Sequence, residues 1–171
     1  MSPISLSALI GSLSTSLAPL GEQISPAAPL LLRLTTISAL LMTGLIWVIQ
    51  VVHYPSFRFV SPERFGDFHA FHTRAISLIV IPVMLLELSS ATLSLLGQFG
   101  SGVAPRPLEL AAFAALLLVW LSTFALQVPL HGRLAAGPDP ALIERLVATN
   151  WIRTALWSLR ALLLLSIRPQ L

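Results

Sequence analysis

The stretch Leu30–His53, LLLRLTTISALLMTGLIWVIQVVH, decides the fold. Apart from Arg33 near its start it carries no charge, and its length matches the roughly 20 apolar residues an α-helix needs to cross a bilayer core. Its far end is different: Gln50 and His53 stand three residues apart, on one helical face. Bounded at Leu30–Val52, this first span is followed by three more apolar runs, Ala75–Leu96, Leu108–Leu130 and Trp151–Ile167. The pattern predicts an all-α polytopic membrane protein, a four-helix bundle over residues 29–171. Residues 1–28 read as a leader, amphipathic or disordered. Leu6, Leu9, Ile10, Leu13 and Leu17 have helical spacing there, but the positive n-region of a signal peptide is missing.

Composition points the same way. Hydrophobic residues make up 56% of the 171 positions and charged residues 10%, against about 25% charged in a soluble domain. All ten basic residues are arginine, without the basic stripes and interleaved aromatics of a nucleic-acid surface, so DNA and RNA are excluded as partners. Cysteine is absent, which removes disulfides, thiolate metal sites and iron–sulfur clusters together. No P-loop, dinucleotide loop, nucleophile elbow or H-E-x-x-H sequence occurs either.

Four spans put both termini on one side of the membrane. Arg58, Arg64, Arg74, Arg133 and Arg145 fall in the two longer loops, against Arg33, Arg106 and Arg168 at the other end. The positive-inside rule then predicts cytoplasmic long loops and periplasmic termini in a bacterial inner membrane. Ser61-Pro62-Glu63 and Asp139-Pro140 have helix-start chemistry. Helices two and four therefore begin outside the hydrocarbon and run inward, with a kink expected at Pro82.

The two halves also resemble each other. Span one ends Gln50-Val-Val-His53 and span three ends Gln127-Val-Pro-Leu-His131, while Glu63-Arg64-Phe65 aligns with Glu144-Arg145-Leu146. That alignment sets His69 opposite Asn150 and His72 opposite Arg153, as two helical hairpins related by a pseudo-two-fold axis would.

All four histidines, His53, His69, His72 and His131, fall at the cytoplasmic ends of the predicted helices. Neutral imidazoles suit transition metals, and paired imidazoles from facing helices also hold haem, so these four are the candidate metal ligands. Gln50, Gln127, Asn150 and Arg160 are candidate cofactor-binding groups, and Glu87 and Arg153 candidate catalytic ones. Glu87 and Arg160 fall at similar depth, where each charge alone costs about 2.5–3.5 kcal/mol, so they are expected to pair. Asn150, Arg153, Trp157 and Arg160 form one polar stripe facing the interior, able to receive an anionic or quinone-like ligand. The bland alternative is a hydrogen-bonding layer at the membrane interface that binds nothing.

The segments HYPSF (His53–Phe57), FHAFHTR (Phe68–Arg74), PVMLLE (Pro82–Glu87) and NWIRTALW (Asn150–Trp157) resemble an uncharacterised family of small bacterial four-helix membrane proteins. In layout the chain is also similar to anthrone-oxygenase-like membrane proteins, which implies oxygenase chemistry. Two functions are therefore expected: a metal- or haem-dependent redox or oxygenase-type enzyme acting on a small hydrophobic or quinone-like ligand, or a non-catalytic scaffold. The scaffold's partner would be a second copy or another subunit of a membrane complex.

Overall fold

The computed structural model describes residues 6–167; the first five residues of the leader and Arg168 lie outside them. The described residues form α1 (Leu6–Ile24), α2 (Ala28–Val48), α3 (Tyr54–Ser56), α4 (Pro62–Gly100), α5 (Pro107–Ser122), α6 (Val128–Leu134) and α7 (Pro140–Leu165). All regular structure among them is helical. Three continuous helical stretches, Thr15–Phe59, Pro62–Gly100 and Pro107–Leu134, are long and apolar enough to cross a membrane. The protein is an all-α membrane protein built around a four-helix bundle.

The fourth helix, α7, is not among those three, and its sequence shows why. Asn150, Arg153, Thr154 and Arg160 lower its mean hydropathy, yet all four are buried against the other helices. Its outward face is apolar, with Ile152, Leu159, Leu162 and Leu165 exposed. Polar groups thus face protein and apolar groups face outward, the arrangement a bilayer requires.

Local chemistry sets the helix starts. Asp139, in an extended conformation, accepts hydrogen bonds from the backbone N–H groups of Ala141 (2.9 Å) and Leu142 (3.2 Å), with Pro140 opening α7. Pro62 and Glu63 open α4 after extended Ser61, and Glu109 accepts from the Arg106 backbone N–H at 2.8 Å to close the start of α5. The leader, where described, is helical, and Ser25–Ala27 joins it to α2 through one turn of 3-10 helix. Its last turns pack on the end of α4 at glycines, where a Cβ on Gly97 would stand 2.7 Å from the Ile24 Cγ2.

α2 lies along α4 and α7, and α5 lies along α7, whereas α4 and α5 hardly touch. Cross-helix polar bonds tie the packed pairs: Thr35 to Ser90 at 2.7 Å, Thr43 Oγ1 to the Trp157 carbonyl at 3.1 Å, and Trp47 Nε1 to Ser158 at 3.0 Å. Lipid tails are as apolar as leucine, so such bonds, each worth about 0.6 kcal/mol, and close packing hold the helices together. The poor contact between α4 and α5 leaves a gap between them.

Both halves share a backbone device. The helix after α2 widens into a π turn at Ile49–His53, and the helix after α5 does so at Thr123–Gln127. In each the following residue, Tyr54 or Val128, donates its N–H five residues back, and the next residue is a proline, Pro55 or Pro129. Proline cannot donate, so the ladder is already interrupted there, and the wide turn accommodates the break. Aligned on these turns, His53 falls opposite Gln127 and Phe57 opposite His131. The Gln-to-His register read from the sequence is therefore not the backbone register. The second correspondence is compatible with the fold, because Phe65 and Leu146, His69 and Asn150, and His72 and Arg153 are all buried.

Candidate functional site

The π turn at Ile49–His53 carries His53 and Tyr54 toward the first turns of α4, where His69 and His72 share a face, and α6 brings in His131. All four histidines meet. His53 Nε2 lies 2.6 Å from His72 Nδ1, and His69 Nε2 lies 3.1 Å from His131 Nδ1. The second nitrogen of His131 is 3.0 Å from the Tyr54 hydroxyl, beside which the Arg153 guanidinium also lies. The two imidazole pairs are adjacent, with the His72 and His131 rings 5.5 Å apart.

Aromatic rings wall this cluster. Phe57 contacts His53 edge-on at 5.5 Å and His72 at 5.2 Å, and Phe65 stacks on His69 at 5.8 Å. Phe57 and Phe65 are fully buried, so the rings hold the imidazoles in place and keep water from one side. Arg153 sits with its guanidinium 5.2 Å from the centre of the Trp157 ring. The five arginines expected in the two longer loops lie instead on helical turns, Arg64 and Arg74 on α4, Arg133 on α6, Arg145 on α7 and Arg58 in the 3-10 turn before α4, and all five are exposed.

Beside the cluster, the gap between α4 and α5 forms a cavity of about 440 Å³, within the range of small-molecule sites. One end is polar, with Tyr54, His72, His131, Gln127 and Arg153; the walls are apolar, with Ile76, Val80, Met84, Trp120 and Phe124. Ile81, Leu85, Phe124 and Val128 at its rim are each more than half exposed. The cavity is thus a groove that opens sideways on the apolar outer face of the bundle. Four residues that line it carry a buried polar atom without a partner: His72 Nε2, Trp120 Nε1, Gln127 Oε1 and Arg153 Nε.

The other sequence candidates lie elsewhere. Gln50 is buried in a hydrogen-bonded network, accepting from Asn150 Nδ2 at 2.9 Å and Thr154 Oγ1 at 3.3 Å and donating to the Val147 carbonyl at 3.1 Å. Its groups are committed to helix packing, and neither Gln50 nor Asn150 lines the groove. Glu87 pairs with Arg160 at 2.7 Å and accepts from Trp157 Nε1 at 3.1 Å. Arg160 also donates to the Ala112 carbonyl. Glu87 is fifteen residues beyond His72 on α4, or about 22 Å along the helix. The structure therefore does not bring Glu87 or Arg160 to the histidines.

Among the described residues, no three His, Asp or Glu side chains are arranged to hold a metal ion. The imidazole nitrogens face one another in pairs, and an ion would have to part them. Tyr54 is the residue that sequence reading missed, because a tyrosine beside His53 gives no signal until the π turn rotates it inward. Comparison with family models, curated proteins and solved structures finds no match to this chain.

Proposed function

We propose that this is a membrane-embedded redox or oxygenase-type protein that takes a small, lipophilic, quinone-like substrate from the bilayer into the groove between α4 and α5. The observation that carries this reading is the groove itself, which opens on the lipid-facing side and ends on Tyr54, His72, His131 and Arg153. An apolar body is stabilised along the walls while an oxygen-bearing head meets hydrogen-bonding groups at the closed end. By the positive-inside rule, the exposed arginines support a cytoplasmic position for that end and periplasmic termini.

The groove reading is tested by fluorescence. Trp120 lines the groove, so a short-chain benzoquinone added to the detergent-purified protein quenches a saturable component of tryptophan emission. That component is missing in Trp120→Phe. Quenching that is linear in quinone and unchanged in the variant overturns the reading.

A redox metal or haem at the imidazole cluster would supply electron transfer and oxygen chemistry. The fit is conditional, since the imidazole pairs must separate, with His72 Nε2 already free of a partner. If the cluster ligates, the purified protein takes up about one equivalent of ion or haem, His72→Gln weakens uptake at least about tenfold, and acidification releases the ion because protonated imidazole cannot ligate. Absence of uptake from iron, copper, zinc and haem alike leaves the scaffold. That second reading is favoured by the Gln50–Asn150–Thr154 and Glu87–Arg160–Trp157 networks, whose bonds serve packing.

A further inference from the structure

The groove has an electrostatic property that its shape does not require. Arg153 is the one lining residue with a permanent charge, and no acid lines the groove. It is 4% exposed, and among the described residues the ion pairs are Arg106–Glu109 and Arg160–Glu87, so Arg153 has no carboxylate partner. Its polar contacts are neutral: the Tyr54 oxygen and the face of Trp157. Arg160, an equally buried arginine on the same stripe, is by contrast matched by Glu87. An isolated buried charge costs several kcal/mol unless something opposes it.

The unmet hydrogen-bonding groups say what opposes it. Arg153 Nε–H and Trp120 Nε1–H are donors without acceptors, and both residues line the groove. Two more lining residues carry an unpaired buried atom, the Gln127 amide oxygen, which is an acceptor, and one ring nitrogen of His72. A buried polar group without a partner is destabilising, because it has lost water and gained nothing in exchange. The two N–H donors, on residues that share one groove, ask for acceptor oxygens on a ligand, whereas the Gln127 oxygen asks for a donor such as a hydroxyl.

We infer that the groove selects a lipophilic oxyanion, an apolar body bearing an ionised oxygen headgroup that pairs with Arg153. This rests on the groove being a ligand site and deepens it by assigning the ligand's charge. A carboxylate on an acyl chain and an ionised hydroxyl on a quinone or phenol ring share this chemistry, and the ring fits the aromatic wall of Trp120 and Phe124 as the chain does the aliphatic wall of Ile76 and Val80.

Matched probes separate these terms. In the Trp120 quenching assay, 2-hydroxy-1,4-naphthoquinone, an anion at neutral pH, binds at least about tenfold more tightly than neutral 2-methyl-1,4-naphthoquinone, the scale of one charge-assisted hydrogen bond. Decanoate and decanol, read by displacement of the bound naphthoquinone, show whether a chain carboxylate is also preferred. In Arg153→Gln the charge preference disappears while the neutral quinone still binds, and Arg153→Lys retains part of it. Thermal unfolding without ligand guards against a folding defect: losing an unpaired buried charge leaves the melting temperature of Arg153→Met unchanged or higher. Equal affinity for charged and neutral probes overturns the oxyanion assignment and leaves the groove standing. Failure of all probes removes both. A melting temperature several degrees lower in both Arg153→Gln and Arg153→Met, with the charge preference retained in either, makes Arg153 a packing residue and also overturns the assignment.

Discussion

Replacing Glu87 with alanine lowers the stability of the detergent-solubilised protein by about 3–5 kcal/mol, the cost of leaving a buried charge unpaired. The reason is specific. Arg160 is 1% exposed and Glu87 is fully buried, and removing the carboxylate deprives Arg160 of its 2.7 Å partner and the Trp157 indole N–H of its 3.1 Å acceptor. Arg160 is then left with one backbone carbonyl, that of Ala112, while its second terminal nitrogen has no partner even in the intact protein. Replacing both partners with leucine and methionine removes the charge instead of orphaning it, so the double variant recovers much of the loss. A double-mutant cycle read by chemical or thermal unfolding checks this, and losses that simply add would show that the two groups do not interact.

Gly100→Val loosens the packing of the leader helix on the bundle. A Cβ at Gly100 stands 2.7 Å from the Gly21 Cα and closer still to the Leu17 carbonyl, and the obstacle in each case is backbone, which cannot rotate aside. Overpacking of this kind costs about 1–3 kcal/mol, enough to raise the open fraction of the α1 contact by about five- to 150-fold. Hydrogen exchange at Leu17–Ile24 accelerates accordingly, while exchange around the histidine cluster, at the other end of α4, stays as it was. Gly11 has nothing near its added Cβ, so Gly11→Ala is the control. Unchanged exchange in Gly100→Val would mean that the two backbones do not approach as described.

Much of the frame is legible in the sequence because bilayers punish exceptions. Apolar runs of spanning length and capped helix starts can each be read locally, and the structure has helices at them, while the arginines expected in loops prove to lie on helical turns too. The Glu87–Arg160 pairing was legible from depth alone, since two opposite charges at one level of a small bundle have few other ways to be satisfied. So was the interior stripe, because Asn150, Arg153, Trp157 and Arg160 repeat with helical period and all are buried. The grouping of candidates into one site was less legible. Glu87 and Arg160 belong to a separate layer, and Gln50 and Asn150 bond to each other, because helical spacing tells which face a residue occupies and not which neighbour it meets.

By itself, then, the sequence determined an all-helical membrane protein with an inward polar stripe and histidines at the ends of its helices, properties that depend on period, length and the solvent. The tertiary structure decided the rest. The π turns at Ile49–His53 and Thr123–Gln127 change which residues face inward after them, since one extra residue in a turn rotates the rest of the helix by about 100°. That rotation brings Tyr54 to His131, and aligning the halves on the turns sets His53, not Gln50, opposite Gln127. The groove exists because α4 and α5 are each packed on a different neighbour and not on one another. No local pattern encodes a gap between two helices; it arises from how all four share the available contacts.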